Sequence, residues 1–163
     1  MSQNLIEIPF GLPGKIYRSP LPNGIHDIGG TTLLEFLIAD IDTVLTLVEE
    51  SEWQQDLRQV YRQNHLKMIY LPIADYMPPA DALEISNALS QVLQLAKNGK
   101  NVAIHCNAGI GRTGMVLSLL ARCVFHFDGK QATAWVRNYL PHAVESDGQS
   151  KFVAAFDCAT VRI

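Results

Sequence analysis

The sequence lacks the features of several large classes of protein. Its 163 residues carry 13 lysines and arginines against 16 acidic residues, and the formal net charge is -3. Proteins that bind nucleic acid usually present a basic surface, so no nucleic-acid partner is expected. The most apolar stretch, 115–127, is short and contains Arg122 and His126, which excludes a membrane span. The composition therefore predicts a soluble globular protein.

The chain also has few cysteines and no sign of a leader. Three cysteines cannot all pair with one another, which argues against a disulfide framework. Residues 1–7 contain no basic cluster followed by an apolar run, so no secretory signal is predicted. A cytoplasmic location is the expectation. With no internal repeat or low-complexity segment, the chain fits a single domain over 1–163, and nothing in it indicates an oligomeric state.

One segment carries most of the chemical information. HCNAGIGRTG, at 105–114, lies between two apolar runs, 101–104 and 115–120. This order predicts a buried strand, a tight turn containing glycines, and the start of a helix. The first turn of a helix offers unpaired N–H groups and the positive end of the helix dipole, which together bind anions. The turn is therefore expected to hold a phosphate group.

The residues of this turn add a nucleophile to the anion site. The field of a helix start favours the thiolate form of a cysteine, and Cys106 is expected at that position. Arg112 carries a planar guanidinium fork that matches two phosphate oxygens. Gly109 and Gly111 allow consecutive N–H groups to turn inward. Thr113 is near enough to donate its hydroxyl to the sulfur, so the segment predicts phosphoryl transfer through a phosphocysteine.

His-Cys, five residues and Arg-Thr-Gly, with Ala-Gly-x-Gly inside, resembles the signature loop of the cysteine-dependent protein tyrosine phosphatase superfamily. The resemblance implies that Cys106 is the nucleophile and that Arg112 clamps the phosphate. It implies that His105 is a buried residue that supports the loop. No cofactor is expected, and no metal either, because Cys123 and His126 share a helix but no second ligand pair has suitable spacing. The implied substrate-binding residues form the loop itself: Asn107, Ala108, Gly109, Ile110, Gly111 and Arg112.

Two nucleotide-binding motifs are weaker explanations of the same segment. Gly109-x-Gly111-x-x-Gly114 satisfies the dinucleotide-binding fingerprint, but that motif expects a second strand with an acidic residue about 20 residues further on. The chain instead continues into 128–136, which is helical in character. The ATP-binding phosphate loop does not fit either, because an arginine replaces its lysine and a cysteine its first glycine.

Strands alternate with helices along the chain. Hydrophobic spacing predicts strands over 16–19, 43–48, 66–71 and 101–105, and helices over 31–38, 53–64, 81–98, 111–125, 130–140 and 149–160. This alternation indicates an α/β fold of one domain, with a central, mostly parallel twisted sheet of four to five strands flanked by helices on both faces. The strands that end near Leu71 and His105 then share one edge of the sheet, where such folds bind ligands.

Asp75 follows the first of these strand ends and is placed to overlook Cys106. Asp75 with Pro78 resembles the short general-acid loop of dual-specificity and small tyrosine phosphatases, although aspartate and proline also populate ordinary turns. Asp81 is disfavoured as the acid because it fits a helix cap. Tyr76 is a candidate wall of the pocket. The resemblance alone suggests that Gln149 orients the hydrolytic water, whereas its place at a helix start requires no catalytic role.

These residues predict a protein phosphatase whose partner is a phosphorylated protein or peptide. Phosphotyrosine is the expected substrate, and phosphoserine or phosphothreonine would also react if the pocket is shallow. Two alternatives stay open: a catalytically silent phosphate-binding module, and a phosphoinositide phosphatase of the same fold. The nucleophile, clamp and acid are all present, which favours the enzyme. The absence of lysine at 107, 108 and 110 disfavours the phosphoinositide.

Overall fold

The computed structural model describes residues 4–163 and contains one five-stranded sheet in the order β1-β2-β5-β3-β4. The strands are β1 (Ile6–Ile8), β2 (Ile16–Ser19), β3 (Ile41–Thr46), β4 (Lys67–Tyr70) and β5 (Asn101–His105). Only β1 is antiparallel to its neighbour. The predicted α/β class and mostly parallel sheet are confirmed. Part of the N-terminal stretch interpreted above, residues 1–3, lies outside the described residues.

Six α-helices are found within residues 4–163, and none is long and apolar enough to cross a membrane. They are α1 (Thr32–Ile38), α2 (Leu57–Gln63), α3 (Ala82–Lys97), α4 (Gly111–Phe125), α5 (Gly129–Arg137) and α6 (Asp147–Ala155). Three short 3-10 turns cover Ile28–Gly30, Glu50–Glu52 and Cys158–Thr160. Helix α4 is buried along most of its length and packs against α5 and α6.

In two of the helices that are shorter than the sequence predicts, capping side chains interrupt the periodic pattern. The helix expected over 53–64 begins only at Leu57, where the Asp56 carboxylate accepts the N–H of Gln59 at 3.3 Å. The helix expected over 149–160 ends at Ala155, after which Asp157 caps the separate 3-10 turn. Carboxylates that accept backbone N–H groups set helix starts more locally than hydrophobic spacing does.

The sheet gathers four loops at one edge. Strands β2, β3, β4 and β5 are mutually parallel, so their carboxyl ends at Ser19, Thr46, Tyr70 and His105 face the same side. The central strand β5 is buried at residues 102–105, and its neighbours fix its position on both sides. Loops that follow these strands therefore meet above the start of α4, as open α/β sheets generally arrange their ligand sites.

Gly114 allows a further segment to reach this edge. A Cβ atom at this position would lie 2.4 Å from the Ala143 Cβ, closer than side chains can approach. The connection between α5 and α6 consequently packs directly on the first turn of α4. This contact brings His142 and Glu145 to the same edge as the strand ends.

Candidate active site

The loop between β5 and α4 is held by its carbonyl groups. Every carbonyl oxygen of residues 106–110 accepts a hydrogen bond on the outer side of the loop. The donors, in order, are His105 Nδ1 at 2.8 Å, Leu21 N at 2.9 Å, Arg18 Nη2 at 2.8 Å, Arg18 Nε at 3.0 Å and Gly114 N at 2.7 Å. In a trans peptide the C=O and the following N–H point in opposite directions. The N–H groups of 107–111 are therefore directed inward, as an anion cradle requires.

Gly109 is the one loop residue whose backbone conformation requires glycine. Its φ is +76°, in the left-handed region that favours glycine. A Cβ atom there would lie 2.1 Å from the Ser19 carbonyl oxygen and 2.5 Å from Arg18 Nη2. The loop thus presses against the end of β2 at this point, and a side chain would push it away.

Cys106 lies at the mouth of the helix start. The residue before α4, Ile110, provides no side-chain cap, so the N–H groups of the first helical turn are left for a ligand. Cys106 is buried, and its loop forms the floor of a cavity of about 400 Å³. Asp75, Tyr76 and Arg112 line the same cavity, so the structure brings the predicted nucleophile, acid and clamp together.

The Arg112 guanidinium is buried and firmly oriented. Its Nη1 and Nη2 donate to the two Glu52 carboxylate oxygens at 2.8 Å each, and Nη1 also donates to the Ile73 carbonyl at 2.9 Å. Burial lowers the pKa of Arg112, but the Glu52 hydrogen bonds and the charges of Cys106, Glu52 and Asp75 outweigh it and raise the pKa. Its buried Nε has no partner among the described residues. A buried donor without a partner is costly, and a phosphate oxygen would satisfy it.

Glu52 was not singled out from the sequence. Burial raises the pKa of its carboxyl. The hydrogen bonds from Arg112 and from the backbone of Glu49, together with the charge of Arg112, outweigh burial and lower the pKa, so the group is ionised. The available signal was positional: an acidic run, 49–52, follows β3 at the edge where β5 also ends.

Asp75 lines the same cavity as Cys106 and Arg112. Its Oδ1 is 3.5 Å from Arg112 Nη2 and accepts the N–H of Tyr76 at 3.0 Å. The carboxyl is more than half exposed and is open to water. Tyr76 has a left-handed φ of 62° and stands at the cavity wall.

The start of α6 holds the loop that carries Asp75. Ser146 Oγ donates to the Tyr76 carbonyl at 2.6 Å, and Gln149 Nε2 approaches the Met77 carbonyl at 3.4 Å. The Gln149 Oε1 accepts the N–H of Glu145 at 2.8 Å, and the whole side chain is buried. Gln149 does not line the cavity. Its contacts anchor the loop that carries Asp75, and the water-orienting role suggested by resemblance stays a prediction.

His105 is fully buried beneath the loop. Because the Cys106 carbonyl can only accept, His105 Nδ1 carries the proton, and Nε2 accepts from Tyr61 Oη at 2.8 Å and Thr46 Oγ1 at 3.0 Å. Burial lowers the pKa of His105 to about 4; its bond to the Cys106 carbonyl opposes this shift and the Arg112 charge adds to it. Burial also raises the pKa of Tyr61, which keeps the phenol a donor. His105 is thus a neutral support for the loop.

This neutral histidine makes stability depend on pH. In the unfolded chain His105 takes up a proton near its ordinary pKa of 6.5, whereas in the folded protein it does so only near 4. The free energy of unfolding should therefore fall as the pH decreases from about 6.5 to about 4, by on the order of 3 kcal/mol from this residue. Urea unfolding across this range should show a flatter profile for His105→Gln. Equal slopes in both proteins would assign the loss to another group.

Thr113 makes no hydrogen bond to the Cys106 sulfur in the structure. Its Oγ1 is buried and has no hydrogen-bond partner among the described residues, so the hydrogen bond expected with the Cys106 sulfur is not made. The hydroxyl lies on the first turn of α4 without a competing acceptor. That Thr113 donates a hydrogen bond to the sulfur during the second chemical step remains a prediction.

The other two cysteines lie near each other at the far end of α4. Cys123 Sγ is 2.7 Å from Cys158 Sγ. About three turns of helix α4 separate Cys123 from the loop that carries Cys106, in agreement with the expectation that these two do not pair. Cys158, whose position the sequence left open, is therefore next to Cys123 and not in the candidate site.

Comparison with known domain families and proteins gives a consistent result. Residues 30–153 match the family described as "PTP-SAK: Swiss Army Knife protein, DSP-PTPase phosphatase domain". The chain is similar to the protein tyrosine phosphatase domain-containing protein 1 of Danio rerio, with 30% identity over 66 residues. This alignment covers 40% of the chain but 9% of the relative, so the chain spans less than a tenth of that protein's length.

Solved phosphatase structures share the fold. A glycine-to-alanine form of Tk-PTP superposes with a TM-score of 0.72 and 26% identity, covering 85% of this chain and 86% of the other. Kinase associated phosphatase, with its catalytic cysteine replaced by serine, gives a TM-score of 0.82 and 17% identity over 93% and 92% of the two chains. PTPMT1 in complex with PI(5)P gives a TM-score of 0.72 and 16% identity, covering 86% of this chain and 88% of the other.

Proposed function

Since the chain belongs to the dual-specificity-type protein tyrosine phosphatase family, we propose that it hydrolyses phosphate monoesters of phosphorylated proteins or peptides through a phosphocysteine at Cys106. One observation carries the proposal. The buried nucleophile, a guanidinium with an unpartnered Nε and the Asp75 carboxyl meet in one cavity above inward-facing backbone N–H groups. A module that only binds phosphate has no need of an acid 3.5 Å from the clamp.

The first chemical step transfers the phosphoryl group to sulfur. The inward N–H groups of 107–111 and the Arg112 Nε hold the three terminal phosphate oxygens and neutralise their charge. The Cys106 thiolate attacks phosphorus in line with the ester oxygen, so the S–P bond forms as the P–O bond breaks. Asp75 donates its proton to the departing oxygen, which leaves as an alcohol or phenol.

The second step returns the enzyme to its starting state. The Asp75 carboxylate accepts a proton from a water molecule, which attacks phosphorus and displaces the Cys106 thiolate. Orthophosphate is released, and Asp75 holds the proton for the next cycle. The fixed donors of the loop act in both transition states without reorganising, which is the main source of rate enhancement in such sites.

The cavity rim favours a single phosphate on a protein side chain. Among the described residues that line it, Arg112 is the only lysine or arginine, and it forms the floor. The rim consists of His26, His142, Tyr76 and Glu145, together with Asp75. A phosphoinositide with further phosphates would need more cations there. An aromatic phosphate ester can pack against Tyr76, which supports phosphotyrosine as the substrate.

A panel of substrates tests this proposal. Phosphotyrosyl and phosphoseryl peptides and a phosphoinositide are assayed under reducing conditions, with protein alkylated at Cys106 as the blank. We expect phosphate release from the phosphotyrosyl peptide above the other two. Preferred release from the phosphoinositide would replace the protein substrate with the lipid. Phosphate binding without release from any of the three would show a silent binding module.

Asp75→Asn should reveal the general acid through the leaving group. We expect a loss of about 10²–10⁴ in kcat with a poorly leaving phenyl phosphate, and little loss with an activated phosphate that departs without a proton. The matched control is Asp81→Asn, which changes an exposed aspartate that caps α3. Equal losses for Asp75→Asn on both substrates would remove Asp75 from the acid role.

A further inference from the structure

Arg18 is a buried arginine that the reaction as described does not use. It lies on β2, paired in register with Ile104 of β5, and is 7% exposed. Burial lowers the pKa of its guanidinium, and the negative charge of Cys106 opposes that shift. An arginine nevertheless keeps its proton under all ordinary conditions. Its positive charge is thus held inside the protein, which is costly unless the surroundings stabilise it.

The partners of Arg18 are backbone carbonyls. Nη1 donates to the Asn4 carbonyl at 3.1 Å, and Nη2 and Nε donate to the carbonyls of Ala108 and Gly109 at 2.8 and 3.0 Å. Among the described residues no carboxylate lies within ion-pair distance of it. The charge is therefore not neutralised by an acidic side chain and remains available to an anion on the other side of the loop.

Two of the five outward carbonyls of the loop depend on this one side chain. When Ala108 O and Gly109 O point toward Arg18, the N–H groups of Gly109 and Ile110 point to the opposite side. The planar fork suits this task, because its N–H vectors have fixed relative directions. Contact is close enough that a Cβ on Gly109 would lie 2.5 Å from Arg18 Nη2.

We propose that Arg18 is a positioning residue of the catalytic loop: it fixes two peptide planes so that their N–H groups face the phosphate, and its charge favours the Cys106 thiolate from behind. This role rests on the proposed phosphatase function. Arg18 then contributes to catalysis by orienting the loop and does not contact the substrate. A purely structural arginine would stabilise the strand and leave the chemistry of the sulfur unchanged.

The test separates geometry from charge with two substitutions. Arg18→Met keeps length and removes both the donors and the charge. Arg18→Lys keeps the charge but cannot hold two carbonyls in fixed directions. The matched control is Arg122→Met, because Arg122 is a half-buried arginine of α4 that likewise donates to backbone carbonyls, those of Phe127, Val153 and Phe156. Thermal unfolding of each protein gives the general cost of the substitution.

The first measurement is the pH dependence of Cys106 alkylation by iodoacetamide, which needs no turnover. The charged and titratable groups that face the sulfur are Arg18, Arg112, His105, Asp75, His26, His142 and Glu145. Only the first of these is changed. We expect Arg18→Met to raise the alkylation midpoint by roughly one pH unit, Arg18→Lys to restore most of it, and Arg122→Met to leave it in place.

The second measurement is orthophosphate affinity by calorimetry. Arg18→Met and Arg18→Lys should both bind about 10- to 100-fold more weakly, the cost of losing one oriented hydrogen bond to a charged group. An unchanged midpoint and affinity in folded Arg18→Met would overturn the proposal, as would an equal change in Arg122→Met. If Arg18→Met does not fold, the affinity of Arg18→Lys decides. If the Arg18 variants show these effects while the wild-type protein hydrolyses no ester, the proposed function is refuted and the role of Arg18 stays intact.

Discussion

Replacement of Cys106 by serine is expected to abolish turnover and to leave phosphate binding in place. The serine hydroxyl is not ionised near neutral pH, so the loop would hold a substrate that no nucleophile attacks. The loop between β5 and α4 should keep its shape, because this depends on the carbonyl contacts of 106–110 and not on the sulfur. Loss of a covalent nucleophile costs on the order of 10⁴–10⁶ in kcat.

Steady-state assays with a phosphotyrosyl peptide and calorimetry with orthophosphate check both halves of this expectation. Cys123→Ser is the matched control, since Cys123 is a buried cysteine on α4 remote from the cavity. It should keep wild-type turnover. Comparable turnover in Cys106→Ser would mean that water attacks the ester directly or that another group is the nucleophile.

Replacement of Arg112 by lysine is expected to impair binding and catalysis together. The guanidinium spans both Glu52 oxygens and the Ile73 carbonyl, and still has Nε free for phosphate. A lysine ammonium is a point charge with three donors and no planar fork. It can satisfy the Glu52 carboxylate or the phosphate with good geometry, but not both. We expect kcat/KM to fall by about 10²–10³, as for removal of one transition-state donor.

Arg122→Lys makes the same change on the same helix at a distance from the cavity and should keep normal kinetics. Glu52→Gln is a useful companion, because it leaves Arg112 charged and weakens its anchor. We expect it to lower kcat/KM less than Arg112→Lys. Orthophosphate affinity equal to wild type in Arg112→Lys would contradict the clamp role.

The structure of the candidate catalytic loop at 105–114 could be predicted because its signals are local. Strand, turn glycines, cysteine, arginine and helix start follow one another within 101–125, and α4 occupies the residues that the hydrophobic spacing indicates. Asp75 could be placed because the parallel sheet brings the carboxyl ends of its strands to one edge. Both inferences need only the order of elements and no knowledge of which side chains touch.

The contacts of Glu52 and Arg18 were not predicted, because their partners are distant in sequence. Glu52 meets a residue 60 positions away, and Arg18 meets carbonyls 90 and 91 positions away. Neither the hydrophobic periodicity nor the helix-capping residues of the sequence indicate such contacts. The strand β1 is only three residues long and was not predicted, so the sequence gives no sign that β2 is paired on both sides. In the structure this arginine is buried, and it donates to the carbonyls of Asn4, Ala108 and Gly109.

The pairing of β1 and β2 also has a practical meaning for expression work. The family match begins at residue 30, yet the hairpin-like pair at 6–19 covers one whole side of β5. A truncated version starting at the match would expose the hydrogen-bonding groups of β5 to neighbouring molecules, and unpaired strand margins of this kind promote aggregation. Such a fragment should precipitate or stay inactive even with every signature residue retained, so trial fragments should include the first two strands.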